Sequence, residues 1–458
     1  MKKCSYYSER ALESALALFL GFGAAIQVQA NEPATAPAIS ALEVPHELGR
    51  ISQRLPATGS STKETRLVVI IQDAHGNYTA QKSMAGILDY LAEHYGLKLI
   101  FMEGAEGNAS LEYLRHTGPL SVRKQTAENY LKAGLISGEE YIDTVSDHDW
   151  VVWGAEDLEL YEKNFNAMLE SEALKPQIEP QLKMIQEAIR ELKNRHYGLQ
   201  LKELESRKLA YASGEFKLGG YLKYLVDQNT ALGLSLDAYP NIALMVEPQA
   251  PVSAEKFKEE IQVFALLKEI RTLERSVIEH TAQTPQENQL LSIQEGLSAY
   301  TKALAREWTS DDYRAFQEHH DSWQFSIWLA QIRELALANG IAFDWHGDPT
   351  ALDQSLQDVI RFYDATLERD AAILRNVQEK MGSEGRALSA LVVGGFHSEN
   401  IAQLLIQNGL NVAILTPVVG NDDPSINYLE VMKYKYQDYQ HKNRPRSAGE
   451  LWDEDAAE

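Results

Sequence analysis

The apolar run Leu67-Val68-Val69-Ile70-Ile71 stops abruptly at Gln72-Asp73-Ala74-His75-Gly76-Asn77. That is the pattern of a strand buried on both faces. Met84, Ile87, Leu88 and Leu91 then recur at helical spacing, with Gly96 as the stop. Lys98-Leu99-Ile100-Phe101-Met102 predicts a second strand, ended by Glu103-Gly104. A third, Val151-Val152-Trp153-Gly154, runs into Ala155-Glu156-Asp157. From about residue 158 to 335 the period changes. Leu182, Ile185, Ile189, Leu192 and Leu199 keep a three-four spacing among charges, as do Leu267, Ile270, Leu273 and Val277, while Pro240, Pro248 and Pro251 mark an irregular connection. The strand pattern resumes after Gly340 with Ile341-Ala342-Phe343, leading to Asp344-Trp345-His346-Gly347-Asp348. A helix is predicted from about Leu352 to Met381, a strand over Ala390 to Val393 leading to His397, a helix from Ser398 to Gly409, and a last strand from Asn411 to Leu415.

Strands and helices joined by short connections predict an α/β fold. Its sheet is expected to be open, mostly parallel and flanked by helices, with a large antiparallel helical insertion between the two sheet halves. The halves cover residues 66–170 and 336–420, and the insertion 171–335. Residues 31–65, rich in Ala, Pro, Ser and Thr, read as a linker, and 421–458 as a loose polar tail. The first thirty residues place Lys2, Lys3 and Arg10 before an apolar core from Ser14 to Ile26 and the small-residue site Val28-Gln29-Ala30. This is the order of a secretory signal peptide, and the core is shorter than the ~20 apolar residues that span a bilayer. The expected product is exported, periplasmic or extracellular.

Cleavage there removes Cys4, the only cysteine, and with it any thiol chemistry. The formal net charge of −23 argues against nucleic acid and anionic membranes as partners and leaves a peptide or small molecule. In a parallel sheet, strand ends from five segments meet on one edge: Asp73 and His75, Glu103, Glu156 and Asp157, Asp344 and His346, and His397. Imidazole and carboxylate without sulfur suit a divalent metal such as Zn, Mn or Fe. Glu156 and Asp157 also read as helix caps, and Asp344, His346 and Asp348 as turn residues. Glu103 has a second reading, as a charge favouring the positive end of a following helix. In the late helix, Phe362, Tyr363, Ile373, Leu374 and Val377 form an apolar arc with Asp370 in its middle and Arg369 at its edge. Buried charges there need partners: Arg369 pairs with a carboxylate or faces a developing oxyanion.

These residues resemble the signature of the TraB/Tiki superfamily, whose relatives include the erythromycin esterases and ChaN-type haem-binding proteins. Gly394-Gly395-Phe396-His397 matches its second Gly-x-x-His, Glu103 its acidic position, and Arg369 its late arginine. Gln72-Asp73-Ala74-His75 resembles the first motif but has Gln72 in place of glycine, and Gly154-Ala155-Glu156 resembles a Gly-x-Glu further on. The resemblance covers about residues 66–170 and 340–420. It implies an exported metal-dependent hydrolase of peptide or ester bonds: His75 and His397 as metal ligands, Glu103 as third ligand or base, Arg369 on the oxyanion, and Asp73, beside His75, as a further catalytic residue. Its other implication is a non-catalytic protein with histidine on haem.

Overall fold

The computed structural model describes residues 36–58, 66–246, 263–319, 323–421 and 428–443. The segment read as a signal peptide, and Pro248 and Pro251, lie outside them. The chain divides into two compact units, residues 1–164 with 364–458, and Phe165–Tyr363. Their elements in chain order are β1 (Gly49–Leu55), β2 (Leu67–Asp73), α1 (Tyr78–Tyr95), β3 (Leu99–Met102), β4 (Glu106–Asn108), α2 (Leu120–Lys132), α3 (Gly138–Val145), β5 (Val151–Ala155) and α4 (Leu158–His196). Then come α5 (Leu199–Ala212), α6 (Leu218–Ala231), α7 (Pro240–Val246), α8 (Val263–Thr281), α9 (Pro285–Leu304), α10 (Ser310–His319), α11 (Phe325–Ala338) and α12 (Pro349–Ser383). The chain closes with β6 (Leu388–Gly394), α13 (Gly395–Gln407), β7 (Asn411–Pro417) and α14 (Tyr428–Asn443).

The first unit is built on a seven-stranded mixed sheet in the order β1-β7-β2-β6-β3-β5-β4. Its centre is parallel, as expected, but both edges are antiparallel, β1 on β7 and β4 on β5. Within the stretch read as linker, Gly49–Leu55 is strand β1, and within the stretch read as a loose tail, Tyr428–Asn443 is helix α14. Gly49–Leu55 escaped notice because an edge strand needs only one apolar face, and this one is only partly buried.

Strand alternation sorts side chains into two layers. Leu67, Val69 and Ile71 of β2 pack with Met84, Ile87, Leu88 and Leu91 of α1 and with Tyr141, Ile142 and Val145 of α3. Val68 and Ile70 face the other way, with Ile373, Val377 and Met381 of α12 and Ile401 and Leu405 of α13. The same parity sends Asp73 toward α1 and α3, and Gln72 and Glu103 toward α12 and α13. Asn77 caps α1 by accepting from the Ala80 amide at 2.9 Å, and Gly96 ends it at φ +67°.

The second unit is helical, with a core of Leu204, Tyr221, Leu222, Leu225, Ile270, Leu273 and Val277. Leu266, not Leu267, completes that stripe, and Leu199 is 87% exposed, so the earlier stripe stops at Leu192. Ile341-Ala342-Phe343 is not a strand, and Asp344 and His346 form an exposed pair in this unit. Three apolar residues among Gly, Asn and Asp carry too little pattern to distinguish a strand from a connection.

Gly154 is where two backbones meet, since a Cβ there would lie 2.2 Å from the carbonyl carbon of Ala105 and 2.4 Å from the amide nitrogen of Glu106. Gly154→Ala is expected to push β4 off β5 and to cost about 1–3 kcal/mol, read as a lowered Tm. An unchanged Tm would contradict this packing.

Candidate functional site

The parallel register sets the ends of β2, β6 and β3 level: Asp73 pairs with Gly394, Met102 with Val392, and the Glu103 amide continues the ladder to Val392 O at 3.1 Å. Two arms meet at this edge. In the first, Asp73 Oδ2 holds His75 Nδ1 at 2.6 Å, and Asp73 Oδ1 accepts from Gln81 Nε2 at 2.6 Å. Gln81 Oε1 in turn accepts from the Gly138 amide at 2.7 Å, tying β2, α1 and α3 together. In the second arm, Asp370 of α12 holds His397 Nδ1 through Oδ1, and its Oδ2 accepts from Asn400 Nδ2 at 2.6 Å.

The arms converge on Gly394. A Cβ placed on that glycine would stand 3.6 Å from Glu103 Oε2, 3.8 Å from His75 Nε2 and 4.0 Å from His397 Cδ2. Glu103 lies between them: Oε2 accepts from the Gly394 amide at 2.8 Å, while Oε1 meets Arg369 Nη2 at 2.8 Å and His397 Nε2 at 3.4 Å. Arg369, 4% exposed, commits every nitrogen. Nη2 reaches both Glu103 and Glu156, Nε donates to Glu156 at 3.3 Å, and Nη1 donates to Asn164 at 2.8 Å. The ring of Tyr161 lies 4.9 Å from its guanidinium carbon.

Charges follow from this wiring. Burial opposes the ionised Glu103, but His397, Arg369 and His75 together hold its carboxyl well below the usual range. Burial likewise works to lower His397, yet Glu103 and the Asp370 hydrogen bond push it up to about 9. His75 is raised to about 9 against burial, chiefly by Asp73. Its side chain is 33% exposed, so solvent reaches His75, whereas His397 is buried.

Of the residues singled out in the sequence, Asp73, His75, Glu103, Glu156, Arg369 and His397 come together. Asp157 is a cap, its Oδ1 accepting from the Glu159 and Leu160 amides at 3.1 Å each. Glu156 is not a cap: it is buried on Arg369. Gln72 clamps the framework, donating to Ser398 Oγ at 3.0 Å and accepting from Thr416 Oγ1 at 2.8 Å. Asp370 was visible as a charge within an apolar arc but its role was not, because its partner lies 27 residues on. Gln81 and Asn400 gave no signal.

The donor types at the edge are those of a metal site, and an aspartate on each Nδ1 leaves Nε2 as the ligating atom. The spacing is not: among the described residues, the three ligand atoms found within 4.8 Å of one another belong to Asp89, Glu93 and His148 instead. As they stand, His75, Glu103 and His397 do not close around one ion, and Glu103 is already committed to Arg369 and the Gly394 amide. The chain matches no family model, no curated protein and no solved structure. Among the described residues no helix is long and apolar enough to cross a membrane.

Arg369→Met leaves Glu103 and Glu156 buried side by side without their cation, and is expected to cost about 3–5 kcal/mol by chemical denaturation. A loss well below about 1 kcal/mol, the ordinary worth of an exposed pair, would show that the arginine does not bear this load.

Proposed function

We propose that the sheet edge is the active site of a hydrolase of peptide or ester bonds in which His75 and His397 divide the proton transfers. One observation carries this reading: two imidazoles, each oriented by an aspartate on Nδ1, are anchored in opposite helix layers and reach the same glycine. Such a pairing fixes the tautomer and presents Nε2 for proton transfer. His75, open to solvent, takes the proton of an attacking water as its oxygen adds to the acyl carbon. His397, kept as imidazolium by Asp370 and Glu103, faces the charge that develops on the carbonyl oxygen and gives its proton to the leaving group. Arg369, with its nitrogens already engaged, acts through Glu103. The resemblance to the TraB/Tiki superfamily and its esterase relatives supports the same reaction class, and the leader-like first thirty residues support export.

The pH dependence has a definite sign. Turnover needs His75 without its proton and His397 with it, and both lie near 9. Hydrolysis of a panel of chromogenic esters and peptides is therefore expected to rise from neutral pH toward about 9 and to fall beyond it. His75→Ala and His397→Ala should each lower kcat/KM by about 100-fold or more, as expected when an acid or base is lost. Activity should survive chelation. If chelation abolished it and Zn, Mn or Fe restored it, an ion bound by His75, His397 and Glu103 would replace this mechanism. Absence of hydrolysis under every condition would overturn the reading.

A further inference from the structure

Three metal-ligating side chains do close up in this protein, away from the candidate active site. Asp89 and Glu93 stand four residues apart on α1 and so share a face of it, and His148 comes from the segment leading into β5. One ligand atom from each lies within 4.8 Å of the other two. β5 runs parallel to β3 from Val151 beside Leu99, which puts His148 at the amino-terminal end of the sheet. α1 leads from the end of β2 back to the start of β3, so its last turns reach that same end. The edge shared by His75, Glu103 and His397 is the opposite one.

The imidazole is fixed in place by its surroundings. The His148 carbonyl accepts from Arg115 Nη1 at 2.7 Å, and the same guanidinium donates through Nε to the carbonyl of buried Asp143 at 2.7 Å. The His148 ring packs on Trp150 with centroids 4.9 Å apart, and Trp150 Nε1 donates to Asp143 Oδ1 at 2.8 Å. Nε2 thereby faces Asp89 Oδ1 at 2.7 Å. The His148 and Asp89 side chains are 28% and 43% exposed and Glu93 is exposed, so an ion with its waters has access.

Carboxylates at i and i+4 of a helix repel each other. Among the described residues no lysine or arginine forms an ion pair with Asp89 or Glu93, so a cation between them is favoured. The nitrogen donor narrows the choice, since imidazole suits transition ions such as zinc better than Mg or Ca. Two donors on one zinc, each at about 2.0–2.2 Å, stand roughly 3–3.5 Å apart. Small rotations of exposed side chains bring the three to that spacing.

We propose that Asp89, Glu93 and His148 bind one divalent transition ion, zinc by its fit to this donor set, which clips α1 to the segment entering β5. The ion takes the place of the hydrogen between His148 Nε2 and Asp89 Oδ1, and the neutral ring carries its hydrogen on Nδ1 instead. Water completes the coordination. The role is structural and does not depend on the hydrolase reading.

The test uses untagged full-length protein stripped with a chelator, into which ZnCl2 is titrated by calorimetry. Wild type is compared with His148→Gln, Glu93→Gln and the double variant His75→Ala/His397→Ala, which removes the imidazoles of the opposite edge. The double variant should retain one zinc site. Adding His148→Gln or Glu93→Gln to it should weaken that site about 100-fold, no less than losing a group that merely supports a ligand. Zinc should raise the Tm of the wild type and leave that of His148→Gln unmoved, while without zinc the two unfold alike, so loss of the ion is told apart from loss of the fold. No zinc binding in the double variant, or binding that survives both His148→Gln and Glu93→Gln, would overturn the proposal. An unchanged wild-type Tm on zinc binding would overturn the clip. None of these readouts requires hydrolysis, so a protein that hydrolyses nothing leaves this result standing.

Discussion

The buried fork of Arg369 is the constraint on which the edge depends. A guanidinium taken out of water must satisfy its donors, and the chain supplies Glu103, Glu156 and Asn164 to do so. Those partners come from the end of β3, the end of β5 and the start of α4, while the arginine itself comes from α12, more than 200 residues later in the chain. The pairing therefore locks late and early segments together and leaves Glu103 an anion with a fixed orientation. One oxygen of Glu103 is taken by the guanidinium and the imidazole of His397, the other by a backbone amide. A carboxylate so held is an electrostatic anchor for His397, not a mobile base.

Around this anchor the sheet geometry explains why two histidines meet. Parallel strands in register end at one level, and successive residues on a strand point into opposite layers. Asp73 falls on the side of α1 and α3, and Glu103 on that of α12 and α13, so each imidazole is oriented by its own layer: His75 through Asp73 and Gln81, His397 through Asp370 and Asn400. Gly394 lies close to both, and its lack of a side chain keeps the meeting point open.

Much of this was legible in the sequence. The runs Leu67 to Ile71, Lys98 to Met102 and Ala390 to Val393 announce buried central strands, and the polar residues that end them are those found together at the edge. What stayed hidden has physical causes. β1 and β4 are edge strands, where one face needs no apolar residues and the alternation fades. Ile341-Ala342-Phe343 mimicked a strand because three residues carry no period. Arg369 invited an oxyanion role, but the competing reading, a structural ion pair, is the one its four side-chain partnerships favour. Asp370 and Gln81 act through partners distant in sequence, and spacing along one chain holds no trace of such pairs.

The site thus combines fixed anions with two imidazoles of unequal exposure, each held on Nδ1 by an aspartate, and the proposed hydrolysis rests on that arrangement. In the proposed function the two arms work as one unit. A double-mutant cycle on kcat/KM with His75→Ala, His397→Ala and the pair tests this most directly. Interdependent acid and base are expected to make the double variant little worse than either single one. Losses that simply multiply, or a single variant with full activity, would contradict a shared site.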